Sequence, residues 1–364
     1  MRIGVPKEIK TFEGRVGLTP DVVGLLASRG HDIFVETCAG RGIGVGDEIY
    51  QKAGASIMPD AERLFEAAEL IVKVKEPQPE EIVRLRPHHV LFTYLHLAAD
   101  PNQARGLMRS GCTAIAYETV TGTDGGLPLL APMSRVAGRM ATQIGAVQLL
   151  KPAGGRGILV GGVPGVAPAR VTVLGGGVSG THAAEMALGL HADVCVFDIS
   201  ARRLDLLDRH FGGRVRTIFS TPDAIAAELI QADLVIGCVL LPGASAPKLV
   251  RRSDLARMKS GAVLVDVAID QGGCFETSFP TTHAEPTYVV DGIIHYCVAN
   301  MPGAAPLTST YALNGVTAPF VVALADKGVD RALADDPHLA AGLNVMAGEI
   351  RHPVIRASLD RRPD

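Results

Sequence analysis

Short apolar runs alternate with amphipathic stretches of helical length from the first residues onward. The apolar runs predict strands at residues 2–5, 32–36, 70–75, 90–95 and 112–117. The stretches between them predict helices near residues 20–29, 60–69, 79–86 and 100–110. Strands that alternate with helices at this spacing are typical of a parallel α/β sheet.

A second series of apolar runs predicts a second doubly wound sheet, with strands at residues 170–174, 194–198, 216–219, 234–239, 262–267, 287–290 and 294–298. Before this series, helical spacing over residues 133–150 precedes a glycine-rich loop or hairpin at 154–165. After it, Pro302 and Pro306 interrupt the chain before a helix near residues 317–327, which offers a route back to the first domain. We expect the closing segment, Arg361, Arg362 and Pro363, to be frayed.

Length and composition narrow the class of protein. The 364 residues fit two domains, because a typical domain has about 100 to 200 residues. The net charge is −3 with no long block of one sign, so a nucleic-acid or membrane-surface protein is not expected. The chain shows no leader pattern and no run of about 18 apolar residues, which favours a cytoplasmic protein. Its six cysteines form no CxxC pair, which favours small buried residues in a reducing compartment.

The strongest chemical signal follows the strand predicted at residues 170–174. Gly175, Gly177 and Gly180 stand at the spacing G-x-G-x-x-G and lead into a helical stretch. In a dinucleotide site the first glycine permits a tight turn, the second admits the pyrophosphate, and the third allows close packing of helix and strand. Asp198 ends the next strand, where a carboxylate can bind the ribose hydroxyls. Strand, glycines, helix and carboxylate together predict a Rossmann domain.

The same carboxylate favours NAD over NADP. Arg202 and Arg203 follow Asp198 closely and could accept a 2′-phosphate, but the carboxylate repels that phosphate at short range. A second glycine cluster at residues 40–46 lacks the third glycine of the pattern, so we expect a loop there.

Basic residues near strand ends are the candidates for binding a small carboxylate. Lys73 and Lys75 share one face of the strand at 70–75, and Arg15 lies in the loop after the first strand. Spacing does not decide between the two lysines. Each of the three residues could instead be a solvated surface charge, which is the usual state of Lys and Arg.

Two further residues are candidates for proton transfer. His96 follows its strand directly, at the edge where α/β proteins bind ligands, although a core histidine between Leu95 and Leu97 is the alternative. Asp270 follows a later apolar run and precedes two glycines, which places a carboxylate at the lip of the nucleotide domain.

Long stretches distributed over the chain are far more specific than the glycine pattern. They are MRIGVPKEIK, GRVGLTP, KVKEP at 73–77, FTYLHLAAD at 92–100, LPLLAPMSRVAGRMA at 127–141, GGVPGV, VLVDVAIDQGGCFETSFPTTH at 263–283 and YCVANMPGAAPLTSTYAL at 296–313. Through them, nearly the whole chain resembles the family of alanine dehydrogenases and the NAD-binding subunit of nicotinamide nucleotide transhydrogenase. The resemblance implies an NAD-binding domain at residues 133–305, inserted into a substrate domain of residues 1–132 and 306–364.

The resemblance also implies roles for individual residues. Arg15 and Lys75 match ligands of the substrate carboxylate, which selects Lys75 over Lys73. His96 and Asp270 match the catalytic pair. The implied cofactor contacts are Ser134, Gly175, Gly177, Val178, Gly180, Asp198, Arg203, Ser220, Val239, Leu240, Val267 and Asn300.

Some positions depart from the family pattern. Phe279 stands where some members carry an arginine, so one polar contact to the cofactor is expected to be missing. Ala323 and Lys327 stand where some members have a glutamate and a histidine that bind magnesium. His182 and Glu185 have the i, i+3 spacing of a metal pair, but no further ligands accompany them. We therefore expect no metal site.

The activity that the resemblance implies is the NAD-dependent, reversible conversion of L-alanine to pyruvate and ammonium. It leaves open which of His96 and Asp270 is the base at each step. The alternative is an NAD(H)-binding subunit of a transhydrogenase that acts with a membrane partner. The absence of a membrane segment and the presence of His96 and the carboxylate ligands argue against that alternative. The resemblance also implies a homohexamer.

Overall fold

The structure of the protein is a computed structural model that describes residues 1–239 and 246–360. Its strands are β1 (Arg2–Val5), β2 (Asp32–Glu36), β3 (Ser56–Met58), β4 (Leu70–Val72), β5 (Val90–Thr93), β6 (Thr113–Ala116), β7 (Arg170–Leu174), β8 (Asp193–Asp198), β9 (Arg216–Phe219), β10 (Leu234–Gly237), β11 (Val263–Asp266), β12 (Thr287–Val290), β13 (Ile293–Tyr296), β14 (Leu343–Met346) and β15 (Glu349–Ile350). Its α-helices are α1 (Pro20–Ser28), α2 (Asp47–Lys52), α3 (Ala61–Ala67), α4 (Pro79–Ile82), α5 (Pro101–Ser110), α6 (Ala131–Gln148), α7 (Val178–Gly189), α8 (Ala201–Phe211), α9 (Pro222–Leu229), α10 (Arg252–Leu255), α11 (Pro306–Lys327), α12 (Val329–Asp335), α13 (Pro337–Ala340) and α14 (Pro353–Asp360).

The chain divides into two compact units. Unit 1 consists of Met1–Met133 and Gly303–Asp364, and unit 2 consists of Ser134–Pro302. The chain passes from unit 1 into unit 2 within α6 and returns shortly before α11. Each unit contains one sheet with its own buried apolar residues.

The sheet of unit 1 has the strand order β15-β14-β6-β5-β4-β1-β2-β3. Strands β1 to β6 are parallel, whereas β14 is antiparallel to β6 and to β15. The chain runs outward from β1 to β3 and then returns to β4 on the other side of β1. The order therefore reverses between β1 and β4, and ligands of open α/β sheets bind beyond the carboxyl ends at such a reversal.

The sheet of unit 2 has the strand order β12-β13-β11-β10-β7-β8-β9. It is parallel except for β12, which pairs antiparallel with β13. Its order reverses between β7 and β10. The glycine pattern follows β7, so it lies at this reversal.

The central strands of both sheets are buried throughout. In unit 1, every residue of β4, β5 and β6 is buried, and in unit 2 the same holds for β10 and β11. Parallel strands covered by helices on both faces have such continuous apolar sequences. Polar side chains can therefore reach a site only from the strand ends and the loops that follow them.

The predicted α/β class with two mostly parallel sheets is confirmed. The sequence pattern does not predict β3, β14 or β15. Strands β3 and β15 have only three and two residues, which is too short to show alternation. The helix predicted at 317–327 begins earlier, at Pro306, because proline is tolerated in the first helical turn, where its missing N–H has no partner to lose. The prediction of a helix over 79–86 is too long, since α4 ends at Ile82. The segment 361–363, expected to be frayed, lies outside the described residues.

The cysteines and the apolar helix α11 bear on the kind of protein that the sequence predicts. All six cysteines are free, and all but the exposed Cys38 are buried, which confirms the prediction of small buried residues. By length and composition, α11 is the one described helix that is apolar enough to cross a membrane. Its buried residues include Asn314, Thr317 and Val321. A buried core helix meets the same criteria, so this finding alone does not indicate a membrane span.

Candidate active site

Three candidate residues of unit 1 follow neighbouring strands of its sheet. Arg15 lies in the loop after β1, Lys75 lies shortly after β4, and His96 lies shortly after β5. These strands are adjacent in the order β5-β4-β1, and the sheet order reverses between β4 and β1. Arg15 and Lys75 therefore follow the two strands on either side of the reversal, and His96 follows the next strand.

Arg15 is held by the carboxylate of Glu13. Its Nε donates to Glu13 Oε1 at 2.6 Å, its Nη2 pairs with Glu13 Oε2, and its Nη1 donates to Met133 Sδ at 3.1 Å. Burial lowers the pKa of Arg15, but the hydrogen bonds and charge of Glu13 outweigh burial and hold this pKa above its ordinary value. Arg15 is thus a fixed cation in the interior of unit 1.

Lys75 belongs to a group of two cations around one carboxylate. Its Nζ lies 3.1 Å from Glu76 Oε2, and the ammonium of Lys10 pairs with the other oxygen of Glu76. Burial raises the pKa of Glu76, but the charges of Lys75 and Lys10 outweigh burial and lower it to about 2. The group carries net positive charge, which favours binding of an anion.

Lys73, the other lysine after β4, is buried between two carboxylates. Its Nζ lies 3.1 Å from Glu8 Oε2 and 2.6 Å from Glu81 Oε1, and none of its surface is exposed. Burial lowers the pKa of Lys73, but the two carboxylates outweigh burial and raise it, so Lys73 stays charged. Because its ammonium is engaged with both carboxylates, the geometry favours Lys75 as the lysine that meets a substrate.

His96 has a left-handed backbone, with a φ of 51°, and a half-exposed side chain. The carboxylate of Glu118 accepts the N–H of His96 at 2.6 Å and that of Leu95 at 3.2 Å. Glu118 Oε1 also lies 3.8 Å from Nδ1 of His96. The imidazole stacks on the ring of Tyr94, with the centroids 5.8 Å apart. His96 is therefore a supported group at the surface of unit 1 rather than a core histidine.

The glycine loop of unit 2 has the geometry of a dinucleotide site. Gly175 adopts a φ of 99°, which a residue with a Cβ rarely adopts. A Cβ on Gly180 would lie 1.8 Å from the carbonyl oxygen of Gly175, so only glycine allows this contact of helix and loop. A Cβ on Gly177 would meet no atom within 4 Å. Gly177 is the N-cap residue of α7, so this open space lies at the amino end of the helix, where a pyrophosphate can bind.

Asp198 is joined to this loop directly. Its Oδ2 accepts the N–H of Gly176 at 2.8 Å. Arg203 donates to the carbonyl oxygen of Gly176 and to Thr181 Oγ1 at 2.8 Å, so its guanidinium braces the loop. Ser220 donates its N–H to the carbonyl oxygen of Asp198 at 2.9 Å. These candidates therefore surround the ends of β7, β8 and β9.

Two further candidates lie on α7 and on α6, a helix that contacts the amino end of α7. Val178 is the first residue of this helix. On α6, a Cβ at Gly138 would lie 2.1 Å from the carbonyl oxygen of Ser179, so the two helices are in close contact there. Ser134 lies one turn before Gly138 on α6.

The remaining candidates of unit 2 follow β10 and β11. Val239 follows β10, and Val267 follows β11. Asp270 lies in a short 3-10 helix after β11, and its carboxylate accepts the N–H of Asn300 at 3.3 Å. Leu240 lies outside the described residues. Asp270 belongs to unit 2, whereas its predicted catalytic partner belongs to unit 1.

Asp266, which the sequence pattern does not single out, closes the loop that carries Asp270. Its Oδ1 accepts the N–H of Ala268 at 3.0 Å, and its Oδ2 accepts the N–H of Cys274 at 2.9 Å and the hydroxyl of Ser278 at 2.5 Å. Burial raises the pKa of Asp266 above its ordinary value, and the hydrogen bonds from Ser278 and Cys274 oppose this rise only in part. One buried carboxylate thus holds both ends of the loop.

The possible metal pair belongs to a cluster of charges. Glu185 Oε2 lies 2.8 Å from His182 Nδ1 and 3.0 Å from Arg139 Nη2. Glu185 Oε1 lies 3.0 Å from His210 Nε2. Lys327 on α11, which stands at the other position considered for a metal, has its Nζ 2.8 Å from Asp335 Oδ2. Among residues 1–239 and 246–360, no group of three or more His, Cys, Asp or Glu side chains is arranged to hold a metal ion. The expectation of no metal site stays a prediction.

Phe279, which the sequence comparison with the family pattern singled out because an arginine is expected there in some members, forms part of an aromatic stack. Its ring lies 3.7 Å from that of Tyr288, and its N–H donates to the Tyr288 hydroxyl at 3.0 Å. About half of the residue is exposed. It therefore presents an apolar ring where some members of the family have a charged group.

Several polar residues of unit 1 escape the sequence analysis. Glu118 follows β6 by two residues, so the strand-end rule that identifies His96 would also identify Glu118. Glu8 lies three residues after β1, so the same rule would identify it, whereas Glu81 gives no such signal. Their common partner Lys73 lies 65 residues from Glu8 along the chain, and burial of the three charges is not visible in the sequence.

Known proteins match both halves of the chain. The family profile of the alanine dehydrogenase/PNT N-terminal domain matches residues 4–137, and that of the C-terminal domain matches residues 141–353. The alanine dehydrogenase of Halomonas elongata is 61% identical over 355 residues, which cover 98% of this chain and 96% of that protein. The alanine dehydrogenase of Bacillus subtilis is 54% identical over 360 residues, which cover 99% and 95%.

Solved structures agree with these relatives. An L-alanine dehydrogenase has a TM-score of 0.95 and 52% identity, with 99% of both chains covered. A transhydrogenase from Sinorhizobium meliloti has a TM-score of 0.82 and 25% identity, with 97% of this chain and 99% of that chain covered. Both domain profiles match in sequence order, and the relatives are similar over nearly their full lengths. The chain therefore belongs to the alanine dehydrogenase/PNT family.

Proposed function

We propose that the protein is an NAD-dependent L-alanine dehydrogenase. The reaction converts L-alanine, NAD⁺ and water to pyruvate, ammonium, NADH and a proton, and it runs in both directions. The carrying observation is the pair of buried cations, Arg15 and Lys75, on either side of the strand reversal in unit 1, in a chain whose relatives are alanine dehydrogenases.

NAD fits the glycine loop of unit 2. The backbone at Gly175, Gly177 and the start of α7 would hold the pyrophosphate, and Asp198 would accept hydrogen bonds from the ribose hydroxyls. When bound, the cofactor supplies the hydride acceptor for oxidation of the substrate. Arg203 braces the loop through Gly176 and Thr181, so its proposed contribution to cofactor binding is to shape the loop.

The unit 1 residues fit a small 2-amino or 2-oxo acid. Arg15 is fixed by Glu13, and Lys75 contributes to the net positive group around Glu76. We assign both to the substrate carboxylate, which would orient the α-carbon.

Proton transfer is assigned to His96 and Asp270. The half-exposed imidazole of His96 can exchange a proton at the oxygen or nitrogen on the α-carbon, while Glu118 and Tyr94 hold its backbone and ring. We assign the second proton-transfer role to the carboxylate of Asp270. Water attacks the α-carbon after oxidation, ammonia leaves, and both steps require a proton to be moved.

An assay on the purified protein tests the proposal. Alanine with NAD, and pyruvate with ammonium and NADH, should turn over without any further protein. The transhydrogenase-type alternative, supported by the similarity to the Sinorhizobium meliloti protein, requires NADP and a membrane partner and predicts no such turnover. Initial rates over a panel of 2-amino and 2-oxo acids would define the substrate range.

A variant of His96 tests the assignment of the proton-transfer group. His96→Ala should lose about 10² to 10⁴ in kcat, the usual scale for a positioned acid or base. NADH affinity should change little, because the glycine loop and Asp198 lie in unit 2. Normal kcat in a folded variant would remove His96 from the mechanism.

We also propose a homohexamer in the cytoplasm. Closed symmetric assemblies are common for soluble enzymes, and this proposal derives from the family resemblance. Light scattering should give a mass several times the 38.1 kDa of one chain. A stable mass near that of a single chain would refute it.

A further inference from the structure

The segment of residues 73–75, which carries the substrate lysine, has all of its backbone polar groups hydrogen-bonded. The carbonyl oxygens of these three residues accept hydrogen bonds in turn from Tyr117 Oη, the Tyr94 N–H and Thr93 Oγ1 at 3.0 to 3.2 Å. The Lys73 N–H donates to the carbonyl oxygen of Phe92 at 3.2 Å. Strand β5 and the residues directly after β5 and β6 therefore provide the partners of four of the six backbone groups.

The other two backbone groups, both N–H donors, share one carboxylate oxygen as acceptor. Glu8 Oε1 accepts the N–H of Val74 at 2.7 Å and that of Lys75 at 3.4 Å. Its second oxygen accepts from the ammonium of Lys73 at 3.1 Å. Glu8 thus connects the backbone of the substrate lysine to a buried charge, and Lys73 fixes the orientation of that carboxylate.

Stability alone does not account for this arrangement. Glu8, Lys73 and Glu81 are all nearly or fully buried, and burying three charges costs desolvation that their mutual attraction repays only in part. Apolar side chains of similar volume are often as stable in such places or more so. A buried triad that contacts the segment of the substrate lysine is explained if it defines the position of that segment.

We propose that the buried carboxylate of Glu8, oriented by Lys73, is a positioning device for Lys75. This proposal rests on the proposed function, in which Lys75 binds the substrate carboxylate. Glu8 acts directly on the backbone at residues 74 and 75. Lys73 orients Glu8, and Glu81 provides a second carboxylate to the Lys73 ammonium at 2.6 Å. Glu8 and Lys73 touch none of the reacting atoms, so they are positioning residues.

Two matched variants separate positioning from simple charge balance. Glu8→Ala and Glu81→Ala each remove one carboxylate from the same ammonium. Since Glu81 is closer to Lys73 than Glu8 is, charge balance predicts that Glu81→Ala is at least as harmful. Positioning predicts the reverse, because Glu8 alone of the two contacts the backbone of Lys75.

The readouts are the KM for alanine and pyruvate, kcat, NADH affinity, and the acetylation rate of Lys75. We expect Glu8→Ala to raise the KM values about 10-fold or more and Glu81→Ala to raise them about 3-fold or less, since small displacements of a binding group are costly. NADH affinity should stay within about 2-fold in both variants, a change of less than about 0.5 kcal/mol. Acetylation of Lys75 by acetic anhydride, measured by peptide mass spectrometry against the exposed Lys52, should rise in Glu8→Ala only.

Other results overturn the proposal. Equal rises in KM for the two variants, a larger rise for Glu81→Ala, or unchanged KM and acetylation in a folded Glu8→Ala would each do so. If an alanine variant does not fold, Glu8→Gln and Glu81→Gln keep the volume, and the same ranking is required of them. If the wild-type protein does not turn over alanine, the proposed function is wrong, but the acetylation ranking still tests the positioning of Lys75.

Discussion

Removing the carboxylate of Glu118 should misplace His96. In the Glu118→Ala variant, the N–H groups of His96 and Leu95 lose an ionised acceptor that lies 2.6 Å and 3.2 Å away. A hydrogen bond to a charged group contributes about 1.5 to 3 kcal/mol. Water can replace the partner at half-exposed His96 but not at fully buried Leu95. We therefore expect a loss of about 2 to 4 kcal/mol in the free energy of unfolding.

The same change should lower turnover. The left-handed backbone of His96 costs about 1 to 3 kcal/mol, and the Glu118 contact offsets this strain. Without it the residue can relax to an ordinary conformation that moves the imidazole. A displacement of about 1 Å can reduce a rate by about 10². Glu118→Gln keeps one acceptor oxygen, so its loss in kcat should be smaller than that of Glu118→Ala.

Asp47→Ala is a matched control for stability. Asp47 accepts the N–H of Cys38 at 2.8 Å and the hydroxyl of Thr37 at 2.7 Å, and Cys38 also has a left-handed φ, of 63°. Urea unfolding should show a loss of stability in this variant as well, while its kcat should equal that of the wild type. Normal kcat in a folded Glu118→Ala, or an equal loss of kcat in Asp47→Ala, would refute the reasoning.

Three further outcomes are expected. Gly180→Ala should weaken NADH binding at least about 10-fold, because its Cβ would lie 1.8 Å from a carbonyl oxygen, whereas Gly189→Ala in the same helix meets no atom within 4 Å and should bind NADH normally in fluorescence titrations. Steady-state kinetics should show kcat/KM for NAD well above that for NADP, and Asp198→Ser should narrow the gap; equal values in the wild type would contradict the role of this carboxylate. The folded pKa of Glu76 is about 2 against an ordinary 4.5, so its stabilising contribution is present above about pH 4.5 and lost between about pH 4.5 and 2. Acid unfolding of Glu76→Gln should therefore lose less stability over that interval than acid unfolding of the wild type.

The sequence alone determined the features that are local along the chain. Strands β1, β2, β7, β9 and β12 have the predicted bounds, and the glycine pattern lies between β7 and α7 as expected. A strand, a tight turn and a helix start are encoded within about 30 residues, because hydrogen bonding, burial and glycine conformation act there between near neighbours. His96 follows β5 and Asp270 follows β11, each beyond the carboxyl end of a strand of its own sheet, as the sequence pattern predicts. Their roles in proton transfer stay predictions.

Tertiary structure alone decided which charges meet. Spacing left Lys73 and Lys75 equivalent, and the fold separates them by placing Glu8 and Glu81 against the first and Glu76 against the second. It also completed the first sheet with β14 and β15 from the end of the chain, beside β6. The contact of Glu8 with Lys73 spans 65 residues, and β14 pairs with β6 from the far end of the chain. The energies of all the ion pairs depend on burial, which the alternation of apolar and polar residues does not specify for a buried charge.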